Sequence, residues 1–383
     1  MKIEKVIPRG LGLAFAEKLT VLAPLAAPGD VVRVRLRDIK KRLAFADIVE
    51  VKQPGPQRIT PPCRHFGTCG GCDFQQMDYA AQLEAKVGII RDCLHRIGKI
   101  EYEGEIPMIA SPEQFAYRSR ARWHLDTKAK TFGYFRRDSN EVVDVAECPI
   151  LTPAMQTTLE NLRETVEWGM FWSERPEIEA VSDENGSVST FSKGRPEKTE
   201  EISVKAYGET YTYSAETFFQ ANRFLIDKLV ETAIGDAEGA MAFDLYCGVG
   251  LFALPLARRF TKVIGVEEST VAIDFAKKNA KNAGIQNLDL SNRGVEQFLA
   301  ANKTKNIDFV LIDPPRMGTE KRTTPMLAAL KPARISYVSC EPSILARDLC
   351  TLLDSGYRIN SITALDLFPQ THHVETVVRL NRS

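Results

Sequence analysis

Three cysteines fall within ten residues in "CRHFGTCGGC" (63–72), spaced C-x5-C-x2-C, and a fourth, Cys148 in "AECPIL", follows after 75 intervening residues. Thiols this close in sequence are rarely there for packing. Four thiolates suit either tetrahedral zinc or an iron–sulfur cluster, and the spacing of Cys63, Cys69, Cys72 and Cys148 leaves both open. The C-x3-C-x2-C spacing of radical S-adenosylmethionine enzymes is not matched.

Cys340, in "SYVSCEPSIL" (336–345), poses a different question. It ends a β-prone apolar run, and Pro342 suits the first turn of a helix through "SILARDLCTLL". A helix N-terminus beside a thiol lowers its pKa and favours thiolate, whereas burial as a small hydrophobe is the competing reading. The place of Cys340 at the ligand end of the sheet, one strand over from Asp313, favours the nucleophile. "DPPR" (313–316) ends another apolar run, and its two prolines hold Asp313 extended at a strand tip. Glu375, in "FPQTHHVETVV", opens the last strand, where a carboxylate is either a general base or an ordinary strand-end charge. His372 and His373 read as loop histidines.

"DLYCGVG" (244–250) is a strand ending in a glycine turn. Glu267, at the end of the next strand, can accept hydrogen bonds from both hydroxyls of a ribose. Position 253 is Ala, so no dinucleotide G-x-G-x-x-G is completed. A nucleoside cofactor without pyrophosphate, S-adenosylmethionine, fits better than NAD.

The elements that must position these groups follow from the apolar runs. "AMAFDLYC" (240–247), "KVIGVE" (262–267), "LDLS" (288–291), "IDFVLID" (307–313), "RISYVSC" (334–340), "RINSITALDLF" (358–368) and "VETVVRLN" (374–381) read as seven strands. Helical segments separate the first six and a short loop the last two. The pattern predicts an α/β, doubly wound, Rossmann-like sheet, mostly parallel with one antiparallel strand. Ligands of such sheets sit at the carboxyl ends of the strands, where Cys340 and Asp313 fall.

Upstream, residues 1–52 alternate β-prone runs with Gly/Pro turns, which suits a small barrel. "KQPGPQRITPP" (52–62) reads as a linker. The middle is α+β, with a helix over 78–97 and a hairpin about "ENG" (184–186). The expected division is 1–55, 60–205 and 206–383.

Fifty basic and fifty acidic residues cancel over the chain, but residues 1–60 hold twelve Lys or Arg against six Asp or Glu, a net of +6. "RVRLRDIKKR" (33–42) is either a solvated strand face or a phosphate-tracking patch. "YRSRARWH" (117–124) sets three arginines beside two aromatics, either to grip RNA by phosphate contact and stacking or as an amphipathic strand. No run reaches the roughly 18–20 apolar residues of a membrane helix, and the first residues lack a signal-peptide core, so a cytoplasmic protein without a membrane partner is expected. A monomer is the default expectation, on which the sequence carries no signal.

"CRHFGTCGGC" with "ECPI", then "FFQAN", "DLYCGVG", "DPPRMG", "SCEP" and "FPQTHHVETV", in that order, resemble the bacterial RNA uracil-5-methyltransferases that carry an N-terminal TRAM domain, an OB-like β-barrel. The resemblance spans essentially the whole chain. It implies a class I methyltransferase sheet, a 4Fe-4S cluster on Cys63, Cys69, Cys72 and Cys148 rather than zinc, and S-adenosylmethionine held by Gln220, Tyr246, Glu267 and Asp313. It also implies Cys340 as nucleophile, Glu375 as general base, and an RNA substrate, with 23S ribosomal RNA preferred and transfer RNA open. Leu251, where some members have Asn, and Gly294, where Asp or Asn often approaches the adenine, depart from the pattern.

C5 of uracil is a poor nucleophile. Addition of a thiolate to C6 turns the ring into an enolate whose C5 can attack a sulfonium methyl, after which a base removes the C5 proton and the thiol leaves. Attack from the ring face requires the uridine to leave its stack, at a cost of a few kcal/mol.

Overall fold

A computed structural model describes residues 1–171, 176–193, 199–302 and 306–382. Strands β1 (Ile3–Ile7), β2 (Leu11–Ala16), β3 (Leu19–Pro24), β4 (Val31–Lys40) and β5 (Leu43–Gln53) pair in the order β1-β2-β3-β5-β4. A bridge from Lys2 to Val31 joins the outer strands and closes the sheet into a small barrel. Ile3, Ala14, Ala26 and Val32 fill it. A side chain at Gly12 would set its Cβ 2.4 Å from that of Ala26, so only glycine fits.

Helix α1 (Tyr79–Arg96) follows, capped by Asp78, whose carboxylate accepts the Ala81 N–H at 2.9 Å. After the two-residue β6 (Met108–Ile109) come β7 (Arg120–Asp126), β8 (Thr131–Phe135), β9 (Val142–Asp144), α2 (Pro153–Thr165), β10 (Glu177–Ser182) and β11 (Val188–Phe191). β7 to β11 form an antiparallel sheet in the order β11-β10-β7-β8-β9. Trp123, Leu125 and Phe132 pack against Met155 and Leu159 of α2, and the "ENG" hairpin is the β10–β11 turn.

The third part contains a hairpin, β12 (Ile202–Ala206) and β13 (Glu209–Tyr213), then α3 (Ile226–Ile234), β14 (Gly239–Leu245), α4 (Ala253–Ala257), β15 (Phe260–Glu267), α5 (Thr270–Asn282), β16 (Leu288–Asn292), α6 (Val295–Ala301), β17 (Phe309–Ile312), α7 (Thr323–Leu330), β18 (Arg334–Ser339), α8 (Pro342–Asp354), β19 (Tyr357–Leu365) and β20 (Glu375–Arg382). The sheet order is β16-β15-β14-β17-β18-β20-β19-β6. All pairings are parallel except those of β20 with β18 and β19. Side chains alternate between two cores. Phe243, Val310 and Tyr337 face α1 and α8, whereas Ala242, Leu311 and Val338 face α3 and the β12–β13 hairpin. Strands covered on both faces are apolar throughout, which is why "FVLI" of β17 is wholly buried.

All seven expected strands are present. The eighth, β6, comes from the middle of the chain and pairs Met108 with Ala364, a contact too short to leave a periodic signal. The stacking reading of residues 117–124 is overturned. Tyr117 and Trp123 are buried, and the Trp123 Nε1–H donates to the Tyr134 hydroxyl at 3.1 Å. Arg120 and Arg122 both pair with Glu179, with Arg120 largely buried and Arg122 exposed. On β4, Arg33 pairs with Glu50 at 3.0 Å and Arg37 with Asp47 at 3.2 Å, while the strand's outer half is exposed. Among the described residues no helix is long and apolar enough to cross a membrane.

Candidate active site

β17 ends at Ile312 and β18 at Ser339, so Asp313 and Cys340 emerge from neighbouring strands at the same end of the sheet. β20 runs the other way and begins there with Glu375. Its register pairs Ser339 with Thr376, so one step further sets Cys340 beside Glu375. Behind Cys340, α8 starts at Pro342 with Glu341 as its cap, as the sequence predicts.

Charge at this site runs against the expected thiolate. Burial pushes the Cys340 thiol up to about 12, Glu375 and Asp313 add to the rise, and only the Arg316 guanidinium, by charge and hydrogen bond, opposes it. The helix N-terminus is outweighed by desolvation and two carboxylates. Burial also raises Asp313 to about 7. Glu375 is held well above the usual carboxyl range by burial and by Asp313, against Arg316. Two carboxyls and a thiol therefore share one cation, and protons are retained among them at neutral pH.

At the adjacent strand ends the turn after β14 is shaped for a ligand. Tyr246 has φ +65°, a left-handed conformation costly for a residue with a Cβ, and its hydroxyl donates to Glu320, which also accepts from Thr323 at 2.9 Å. Gly248 has φ +54°, and a Cβ there would meet nothing within 4 Å, so the bare backbone faces open space. Glu267 accepts the Gly248 N–H at 3.0 Å and the Ser269 N–H at 2.7 Å, one on each oxygen, and each oxygen keeps a second acceptor site. Asn279 of α5 ties this turn to β13, donating to the carbonyls of Thr212 and Val249 at 3.1 Å each. Gln220 is buried in the loop after β13, where the neighbouring Phe219 stacks on Tyr213. Leu251 is buried, with its carbonyl accepting from the Tyr211 hydroxyl, and Gly294 is the N-cap of α6 with no side-chain acceptor. An open backbone cradle beside an acid with spare acceptor sites fits the nucleoside of S-adenosylmethionine.

The four grouped cysteines meet in space. Cys63, Cys69, Cys72 and Cys148 line one cavity of about 20 Å³, walled also by Arg118 and Tyr134, and all four are free thiols. Burial drives the Cys72 thiol strongly upward and Cys148 up to about 11, with neighbouring cysteines adding to the rise. Among the described residues no group of three or more His, Cys, Asp or Glu side chains is gathered so as to hold a metal ion. The donor chemistry suits a centre with four thiolate ligands, and Arg118 supplies a compensating charge.

Comparison with known proteins bears on the whole chain. It is 30% identical over 410 residues to the 23S rRNA (uracil(1939)-C(5))-methyltransferase RlmD of Pectobacterium atrosepticum, covering 97% of this chain and 90% of that protein. The chain belongs to the RNA uracil-5-methyltransferase family. The RlmD protein of Vibrio parahaemolyticus is 28% identical, over 100% of this chain and 96% of that one. The model of the tRNA (Uracil-5-)-methyltransferase family matches residues 193–383. Among solved structures of uracil-5-methyltransferases, the tRNA (uracil-54, C5)-methyltransferase of Pyrococcus abyssi in complex with S-adenosyl-L-homocysteine superposes with a TM-score of 0.77 at 27% identity, covering 99% of both chains.

Sequence reasoning missed several residues at this uracil-5-methyltransferase site. Arg316 lies inside "DPPR", where the sequence marks only a stiff turn, although it is the cation facing Cys340 and Glu375. Glu320 fixes Tyr246. Asp244, in "DLYCGVG", is fully buried under the glycine turn, and burial drives its carboxyl well upward. Asp73 and His372 are bonded across 299 positions, a relation that no local pattern carries.

Proposed function

We propose that this protein transfers a methyl group from S-adenosylmethionine to C5 of a uridine in RNA, with 23S ribosomal RNA as the substrate. The observation that carries the reading is the convergence of Cys340, Glu375, Asp313 and Arg316 at one end of the sheet, next to the open glycine turn. Relatives described as acting on 23S rRNA align over nearly the full length, which supports the ribosomal substrate. The structural likeness to a transfer-RNA enzyme supports transfer RNA as the second reading.

In this reading the Cys340 proton passes to Asp313 as the sulfur adds to C6 of the flipped base, while Glu375, its own proton already given to solvent, stays ionised for the later step. S-adenosylmethionine supplies the electrophilic methyl group. Arg316 stabilises negative charge as it forms, and Asp313 holds the uracil edge. Glu375 then removes the C5 proton, the C5–C6 double bond re-forms, and Cys340 leaves as thiolate. A carboxylate with a raised pKa is a stronger base near neutral pH than an ordinary one, so the burial that suppresses the free thiolate also prepares Glu375. Gln220, Tyr246, Glu267 and Asp313 hold the cofactor.

Cys63, Cys69, Cys72 and Cys148 carry a 4Fe-4S cluster. The four thiols line one cavity with Arg118, and that donor set supports a centre with four thiolate ligands. The barrel of β1–β5 is a TRAM domain that presents its exposed β4 basic side chains to RNA, and the eight free thiols suit the reducing cytoplasm. Mapping 5-methyluridine in total RNA with and without the gene tests the assignment. Loss at one 23S position supports it, loss in transfer RNA supports the second reading, and no change refutes both.

A further inference from the structure

Residues 366–374 turn β19 into β20 and deliver Glu375, yet most of their anchors come from outside the sheet. Lys86 of α1 is wholly buried, pairs with Asp366, and donates to the Phe368 carbonyl at 3.0 Å. The Tyr117 hydroxyl donates to the Pro369 carbonyl at 3.0 Å. Gln82 and Gln370 exchange two hydrogen bonds, Gln82 Nε2 donating to Gln370 Oε1 at 3.0 Å and Gln82 Oε1 accepting the Gln370 N–H at 3.1 Å. The backbone N–H groups of Asp73 and Phe74 both donate to the Gln370 carbonyl, at 3.1 and 3.0 Å. The Asp73 carboxylate then accepts the His372 backbone N–H at 2.7 Å and the ring Nδ1–H at 2.5 Å. Asp73 is buried, and it directly follows Cys72.

We infer that Asp73 positions Glu375 through His372, so that the loop carrying Cys63, Cys69 and Cys72 and the segment carrying the base are one mechanical unit. The inference rests on the reading of Glu375 as the base. Its chemical consequence is specific. Formation of the Cys340–C6 bond and transfer of the methyl group to C5 do not need Glu375. Release does, because the C5 proton must pass to that carboxylate as the C5–C6 double bond forms and the C6–S electron pair returns to sulfur. A displaced Glu375 therefore leaves a C5-methylated ring bound to Cys340, still carrying its C5 proton. A misplacement near 1 Å is enough to cost about a hundredfold in rate.

The test uses the full chain with its four-cysteine site loaded, unmodified 23S rRNA, and cofactor labelled in the methyl group. Labelled protein–RNA adduct is read on a denaturing gel, and occupancy of the cysteine site by absorbance. Glu375→Gln is the control for the base and is expected to accumulate adduct. Asp73→Ala and His372→Ala are expected to accumulate labelled adduct about tenfold or more above wild type, with RNA binding retained, whereas His372→Asn, which keeps a donor towards Asp73, restores turnover. If Asp73→Ala loses the cysteine-site absorbance, His372→Ala decides, since it leaves the cysteine loop unaltered. Adduct with Glu375→Gln but with neither other variant overturns the coupling. No adduct with Glu375→Gln overturns the base assignment instead.

Discussion

Cys340 stands directly across from Glu375, one register step beyond the Ser339–Thr376 pair of the antiparallel β18–β20 ladder. Because β20 is antiparallel among parallel strands, its first residue lies at the same sheet end as the last residues of β17 and β18. A thiol, two carboxyls and a guanidinium are thereby confined to one corner, where Glu375 and Asp313 raise the thiol, Asp313 raises Glu375, and Arg316 opposes both shifts.

Alkylation should report the suppressed thiolate. With Cys340 near 12, its reaction with iodoacetamide in the free enzyme is expected to be slow at pH 7 and to rise about tenfold per pH unit. Arg316→Met, which removes the opposing cation, should slow it further. Fast alkylation at pH 7, with a midpoint below pH 8, would show that the helix N-terminus governs the thiol after all.

Stability should change with pH through Glu375. Burial and Asp313 raise its folded pKa above the ordinary value of about 4.3, so the folded protein keeps a proton that the unfolded chain loses. The stabilisation is complete below that value and is lost as pH rises through the folded pKa. Glu375→Gln cannot ionise, so it should melt above wild type at pH 8 by a margin that shrinks towards pH 4.5. An equal margin at both pH values, by scanning calorimetry, would contradict the raised pKa.

The buried Lys86–Asp366 pair offers a test of the anchor under the catalytic segment. Both side chains are fully buried, Lys86 bonds Asp366 Oδ1, and among the described residues Asp366 Oδ2 has no hydrogen-bond partner. Lys86→Met leaves that carboxylate unpaired and should cost about 3–5 kcal/mol, most of it recovered in Lys86→Met with Asp366→Asn. Urea midpoints of the two variants check this, and equal midpoints would sink it.

Much of the sheet was legible because strands covered on both faces must be apolar throughout, as "IDFVLID" and "RISYVSC" are. Asp313, Cys340 and Glu375 were legible for the same reason, since strand ends mark the ligand side. The two-residue β6 was not, because two residues carry no period. Nor was the direction of the Cys340 shift, which depends on charges brought from positions 313, 316 and 375. Tyr117 and Trp123 misled because an aromatic beside arginines looks alike whether it faces RNA or a core.

The glycine turn supplies a prediction for cofactor affinity. At Gly248, φ +54° makes any side chain strained by about 1–3 kcal/mol, and its Cβ would enter the space left open for the ligand. Gly248→Ala should weaken S-adenosylmethionine binding about tenfold or more by calorimetry while the chain stays folded. Unchanged affinity would move the cofactor away from this turn.

The central claim is a sulfur–carbon bond between Cys340 and C6 of uracil, and substrate RNA carrying 5-fluorouridine tests it most directly. Fluorine at C5 removes the proton that Glu375 must take, so the methylated adduct cannot break down. The account predicts a protein–RNA complex that survives denaturation, requires S-adenosylmethionine, maps to Cys340 by peptide mass spectrometry, and is absent in Cys340→Ala. Methyl transfer by Cys340→Ala to unmodified RNA at the wild-type rate, with no adduct from either protein, would contradict it.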